Sequence, residues 1–256
     1  VDPIAMTLPV SLVETTMLAG VRIAAFLAIA PPFNARSVPG TVKAMLALGL
    51  ALAVGPRLSP LPSDTTGMFV GALVGQAVIG AGLGFLVYLV FSAVQSAGGL
   101  IDMFGGFQLA TAYDPMSMTS GAQFTRLYQM TALVLLFVSD GYQVVLAGLV
   151  RTFDALPLGA LVDPAALAST LTTGLTQMMV AALQIAGPLV IVLFLADVGL
   201  GLLTRVAPAL NAFALGFPLK ILLTLAFGSF AFLALPGVVH ALTGRSVEQM
   251  LGVVLP

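Results

Sequence analysis

Between residues 67 and 95 the chain carries no Asp, Glu, Lys or Arg, and the apolar stretches 127–150, 165–198 and 209–242 hold a single charged residue each. No soluble fold accommodates this pattern, because its surface could not be covered with polar atoms. The whole chain confirms the point: 59% of residues are hydrophobic and 7% charged, where a soluble domain carries about 25% charge. The surroundings must therefore be lipid, or partner protein that takes the place of lipid. The composition predicts an all-α membrane protein of about six helices, since helices satisfy their own backbone in hydrocarbon.

Proline, glycine and charge set the divisions. Apolar stretches are predicted at 8–30, 42–55, 67–95, 127–150, 165–198 and 209–242. Between them lie the Pro31-to-Gly40 segment, a proline-rich loop around Pro56, Pro60 and Pro62, a polar and glycine-rich section at 96–123, and a loop at 154–164. The first stretch has Asp2 rather than a basic residue ahead of it and contains Glu14 and Arg22, so it is read as a retained helix rather than a signal peptide. The lengths are uneven. As helices, 42–55 would span about 21 Å and 165–198 about 51 Å, against a bilayer core of about 30 Å. Such helices suit packing on other protein chains. The absence of tryptophan and the four tyrosines make a thin interfacial belt, which points the same way. Gly71-xxx-Gly75 and Gly80-xxx-Gly84 put small residues on helix faces, for close packing either within the chain or on a partner helix.

The inventory for chemistry is poor. A net charge of −1 offers no footprint for nucleic acid, and there is no cysteine for a disulfide, thiolate site or nucleophile. His240 is the single histidine and stands near the end of an apolar stretch, without the partners a general base needs. No metal-ligand spacing, P-loop or dinucleotide fingerprint occurs, so neither a cofactor nor an enzyme is predicted. Glu14, Arg22, Asp140 and Asp197 are charges in or beside apolar stretches. A charge in hydrocarbon costs roughly 2.5–3.5 kcal/mol, so each is expected to pair, line a wet cavity or sit at an end. Glu14 and Arg22 share a helix face two turns apart, too far to pair with each other. The section 96–123 combines Gly98-Gly99, Gly105-Gly106 and Asp114-Pro115 with methionines and aromatics. Two readings fit: a moveable plug sealing a pore, or a re-entrant loop buried for stability.

Three stretches carry a resemblance. The first is Pro32-Phe33-Asn34-Ala35-Arg36-Ser37-Val38-Pro39 with Val42-Lys43. The second runs from Gly106-Phe107-Gln108-Leu109-Ala110-Thr111-Ala112-Tyr113-Asp114-Pro115 through Asp140-Gly141 to Phe153-Asp154-Ala155-Leu156-Pro157-Leu158-Gly159. The third runs from Gly201-Leu202-Leu203-Thr204-Arg205-Val206-Ala207-Pro208 to Ala209-Leu210-Asn211-Ala212-Phe213-Ala214-Leu215-Gly216-Phe217-Pro218. In this order they resemble the FliR/SctT family of type III secretion export-gate proteins, the flagellar branch more than the injectisome branch. Ala209 stands where the family often has glutamine, and Asp197 where asparagine is common.

The resemblance implies a structural, gate-forming subunit of the flagellar export channel, in the bacterial inner membrane at the basal body. Its partners would be FliP, FliQ and FlhB, with FlhA nearby and lipid around them, and unfolded flagellar proteins would pass through as substrates. It implies helical hairpins of export-gate type, with a FliP-like half at 1–160 (pore loop 96–123) and a FliQ-like half at 161–256. Carried over by the resemblance, the pore plug candidates are Phe104, Gly105, Gly106, Phe107, Tyr113, Asp114, Pro115, Met116 and Met118. The packing and partner candidates are Glu14, Arg22, Arg36, Asp140, Asp197, Arg205, Asn211, Phe213, Phe217 and Pro218. An injectisome homologue shares the mechanism. A small-solute transporter would need matched repeats with polar residues at one depth, which the sequence lacks.

Overall fold

The fold is known from a computed structural model that describes residues 10–35, 37–60, 65–108, 123–160, 163–207 and 212–252. The described residues form seven α-helices and no strand: α1 (Val10–Ile29), α2 (Gly40–Val54, continued by a 3₁₀ turn at Gly55–Arg57), α3 (Thr66–Phe104), α4 (Gln123–Val138), α5 (Gly141–Ala155), α6 (Pro164–Val206) and α7 (Ala212–Gly252). The all-α expectation holds. Among the described residues α1, α3, α6 and α7 are each long and apolar enough to cross a membrane, and α4 with α5 reach that standard only as a pair.

Three boundaries differ from the sequence reading. The helix expected over 67–95 continues to Phe104, through Gly98 and Gly99. These glycines serve packing rather than a turn: a Cβ on Gly98 would lie 2.6 Å from the carbonyl oxygen of Phe124 and 2.7 Å from the Cα of Thr125. The stretch 127–150 is broken into α4 and α5, because Asp140 adopts the left-handed conformation, with φ 53°. Aspartate tolerates that region better than most residues. Gln143 secures the turn, its N–H donating to the Asp140 carbonyl at 2.9 Å and its side-chain amide to the Asp140 carboxylate at 3.1 Å. The last two helices are longer than expected, 43 and 41 residues, and carry Pro188, Pro218 and Pro236 inside them. Each spans about 60–65 Å, twice a bilayer core.

The chain divides into two compact units that interleave along the sequence. The first takes Val1–Leu89, Asp140–Gly174 and Thr243–Pro256. Its core is built on α1, where Leu18, Ala19, Ile23, Phe26 and Leu27 are fully buried. α2 lies along α1, with Gly20 in contact range of Ala51. α3 meets α1 backbone to backbone: a Cβ on Gly80 would overlap the Arg22 carbonyl, and one on Gly84 would lie 2.9 Å from the Phe26 carbonyl oxygen. Gly80-xxx-Gly84 is therefore an internal contact, whereas Gly71 and Gly75 have open space where a Cβ would stand.

The second unit takes Val90–Ser139 and Leu175–Leu242. α3 contributes its apolar C-terminal part, with Ala93, Val94, Ala97 and Ile101 buried, and α4 contributes Phe124, Tyr128, Ala132 and Leu136. Gly228 of α7 approaches the ring of Phe124 and the side chain of Leu189 on α6. The outward faces of α6 and α7 are apolar and open: Ile191, Leu195, Leu222, Phe230 and Leu233 are all exposed. A helix apolar all round is made for lipid or for a protein neighbour, not for water.

Candidate functional site

Among the described residues each unit contains one fully buried charged side chain. Arg22 of α1 anchors the first. Its Nε donates to Gln76 Oε1 of α3 at 2.6 Å, and its terminal nitrogens donate to the carbonyls of Thr152 at 3.3 Å and Leu156 at 2.8 Å. Gln76 in turn donates its amide to the Leu158 carbonyl at 2.9 Å, and the guanidinium lies 4.2 Å from the centre of the Phe153 ring. These partners are neutral. What they supply is the negative end of α5, whose last turn and following residues direct carbonyl oxygens at the guanidinium fork. The planar fork suits this task, with five donors in fixed directions. The result is a pinned turn at 153–159, one of the stretches that carried the resemblance.

Asp102 of α3 anchors the second unit and is also fully buried. Its two carboxylate oxygens accept three hydrogen bonds from the first turn of α4: Phe124 N–H and Thr125 N–H at 2.8 Å each, and Thr125 Oγ1–H at 2.7 Å. A carboxylate satisfies the orphan donors of a helix N-terminus, and the positive end of the helix favours the anion. The missing Cβ of Gly98 lets the two backbones come this close.

Immediately beyond Asp102, α3 ends in a Schellman motif. Gly106 is left-handed at φ 81°, and Phe107 N–H donates to the Asp102 carbonyl at 3.0 Å. A Cβ on Gly105 would lie 2.8 Å from Thr224 Oγ1, so α7 also presses on this helix end. The Phe107 ring packs edge-on against Phe124, centroids 5.2 Å apart, and Phe217 lies against Gly106. Four of the plug candidates, Phe104, Gly105, Gly106 and Phe107, thus form a capped helix terminus held in the second unit, with Phe217 beside them. Tyr113, Asp114, Pro115, Met116 and Met118 lie outside the described residues.

The remaining predicted residues are scattered. Asp197 and Lys220 form an ion pair of 2.8 Å between α6 and α7. Glu14 is half-buried on α1, Asp140 is exposed at the α5 N-terminus, Arg205 is exposed in the last turn of α6, and Pro218 is exposed within α7. Arg36 and Asn211 lie outside the described residues, as does the side chain of Phe213. His240 is exposed on α7. Among the described residues no three His, Asp or Glu side chains group as metal ligands.

Sequence reasoning missed Asp102 and Gln76. The signal for Asp102 was present, a lone carboxylate between Ile101 and Met103, but the surrounding glycines gave it to a loop. Gln76 carries no such mark, because its partners stand far away in the chain, Arg22 54 positions before it and Leu158 82 positions after it.

Comparison with known proteins bears on the whole arrangement. Residues 13–246 match the family model for bacterial export proteins, family 1. The flagellar biosynthetic protein FliR of Escherichia coli (strain K12) is 35% identical over 206 residues, covering 78% of this chain and 77% of that protein. FliR of Bacillus subtilis (strain 168) is 29% identical over 83% of both chains. The surface presentation of antigens protein SpaR of Salmonella typhimurium is 29% identical over 82% of this chain and 79% of its own length. With its long apolar helices the chain is a multi-pass membrane protein of export apparatus type, a class that works alongside other secretion components. It belongs to family 1 of the bacterial export proteins.

Proposed function

We propose that this chain is a structural, gate-forming subunit of the flagellar type III protein export channel. In this reading it sits in the bacterial inner membrane at the flagellar basal body, assembles with FliP, FliQ and FlhB with FlhA nearby, and contributes walls and a plug to a passage for unfolded flagellar proteins. It performs no catalytic step. Residues 1–160 act as a FliP-like half and 161–256 as a FliQ-like half, and the plug is drawn from Phe104 to Met118.

The observation that carries the reading is the family match over 13–246. The uneven burial of the long helices supports it physically. The most apolar window of α3 is 67% buried inside the chain, while those of α6 and α7 are 28% and 17% buried. Helices twice the bilayer thickness with open apolar faces are built to be completed by neighbouring helices as well as lipid. The flagellar reading draws on FliR of Escherichia coli at 35% identity, while FliR of Bacillus subtilis and SpaR stand level at 29%.

Two experiments test the proposal. Co-expressed with FliP- and FliQ-like proteins from the same source, the chain should co-purify as one stable particle; a monodisperse monomer that ignores both would refute the assembly. Deleting 105–119 should leave that particle intact but make membranes leaky to ions and small solutes. Unchanged permeability of an assembled deletion complex would refute the plug.

A further inference from the structure

We propose that the groove between α6 and α7 at Gln184 is a docking site for a membrane helix of another subunit, one that brings a hydroxyl or carboxamide side chain to bond with the glutamine. The inference rests on the assembly reading above and gives that assembly a contact point on this chain.

Depth in the apolar belt comes first. The stretches 178–196 of α6 and 221–239 of α7 carry no charge, and each spans about 29 Å as a helix, the thickness of a bilayer core. The Asp197–Lys220 ion pair sets the two stretches level at one end. Gln184 stands about 20 Å along the helix from Asp197, well inside the belt. Besides it, the belt holds two hydroxyl side chains, Thr224 and Ser229. Both are spent on their own helix: Thr224 donates to the Lys220 carbonyl at 2.7 Å, and Ser229 to the Ala226 carbonyl at 2.7 Å. Gln184 differs. It is exposed, and among the described residues its side chain makes no hydrogen bond. Its main chain lacks a partner as well. Pro188 stands one turn further on inside α6 and has no N–H, so the helix cannot supply the usual donor to the Gln184 carbonyl.

Gln184 and Pro188 line a groove of about 400 Å³. Leu189 and Leu235, both buried, and Phe227 and Phe230, both exposed, line it with them. Lipid tails could fill this groove, but they offer no hydrogen bond. They would leave the amide donors, the amide oxygen and the main-chain carbonyl unsatisfied in hydrocarbon. A helix carrying serine, threonine, asparagine or glutamine fills the same space and answers donor and acceptor together. Gly187, with open space where a Cβ would stand, allows a neighbouring backbone to come close.

The test uses the chain co-expressed in membranes with FliP- and FliQ-like proteins from the same source. The photoreactive residue p-benzoylphenylalanine is placed at Phe230, an exchange of one exposed ring for another that leaves Gln184 intact. Illumination should join it to a membrane helix of one of the other subunits, at a peptide containing Ser, Thr, Asn or Gln. Gln184→Leu keeps the bulk and removes the amide. Recovery of the complex should fall roughly threefold to fifteenfold, the range of hydrogen bonds between membrane helices. Ala234→Phe, at an exposed wall of the groove, should lower recovery as well, because a docked helix cannot yield to the ring as lipid tails do. An adduct to lipid alone, or to a second copy of this chain, would overturn the docking site and leave the assembly reading standing. Wild-type recovery of Gln184→Leu would do the same. A wild-type chain that stays monomeric beside both proteins would overturn the two together. Should neither substituted chain accumulate, the adduct decides alone.

Discussion

At the scale of single residues, two glycine pairs with the same spacing do opposite things. Gly80 and Gly84 let α3 lie against the α1 backbone, whereas Gly71 and Gly75 face open space. Gly80→Ala has no slack to use, because the obstacle is main chain at Arg22 rather than a side-chain tip. It should destabilise the assembled complex by about 2–3 kcal/mol, as overpacking does. Gly71→Ala should be neutral or stabilise by about 0.5–1 kcal/mol through helix propensity, unless a neighbouring helix occupies that face. Thermal unfolding of the two purified complexes checks the contrast, and equal losses would mean that the Gly71 and Gly75 face is also packed. The sequence announced both pairs identically, since spacing records that a face is small and not what lies across from it. Arg22 illustrates the same boundary. Its need for partners was legible from its setting, but the identity of those partners was not, because they come from Gln76 and from main-chain oxygens at Thr152 and Leu156.

At the scale of elements, hydropathy located the apolar helices and misjudged where they stop. Local glycines and an aspartate suggested that α3 ended early, yet the close approach of α4 makes Gly98 an asset inside the helix. Conversely, the unbroken apolar run through 127–150 concealed the joint at Asp140, which depends on one backbone angle. That joint is testable. Asp140→Gly and Asp140→Asn should keep the stability of the complex within a few tenths of a kcal/mol, because both residues accept left-handed geometry. Asp140→Val should cost about 1–2 kcal/mol or more, since a β-branched residue is strongly disfavoured there. Melting temperatures that rank Val with Gly would show that the angle carries no weight.

At the scale of the molecule, class and membrane character were readable from charge depletion alone, whereas the open faces of α6 and α7 required the coordinates. Leu233 is 77% exposed near the middle of α7. Leu233→Glu should sharply reduce recovery of the assembled complex, because a charge costs roughly 2.5–3.5 kcal/mol against lipid and disrupts an apolar protein contact as well. Val206→Glu, at the end of α6, should be tolerated. Co-purification yields decide, and wild-type recovery of Leu233→Glu would mean that this face meets water. The Arg22 anchor has a further consequence, for mutation over generations. Three of its bonds, counting the one relayed through Gln76, end on main-chain carbonyls at Thr152, Leu156 and Leu158. Those oxygens survive any exchange of side chain. The anchor recognises the path of the chain and not its lettering, so the turn can drift in sequence while its course is retained, provided that the arginine and glutamine that grip it stay in place.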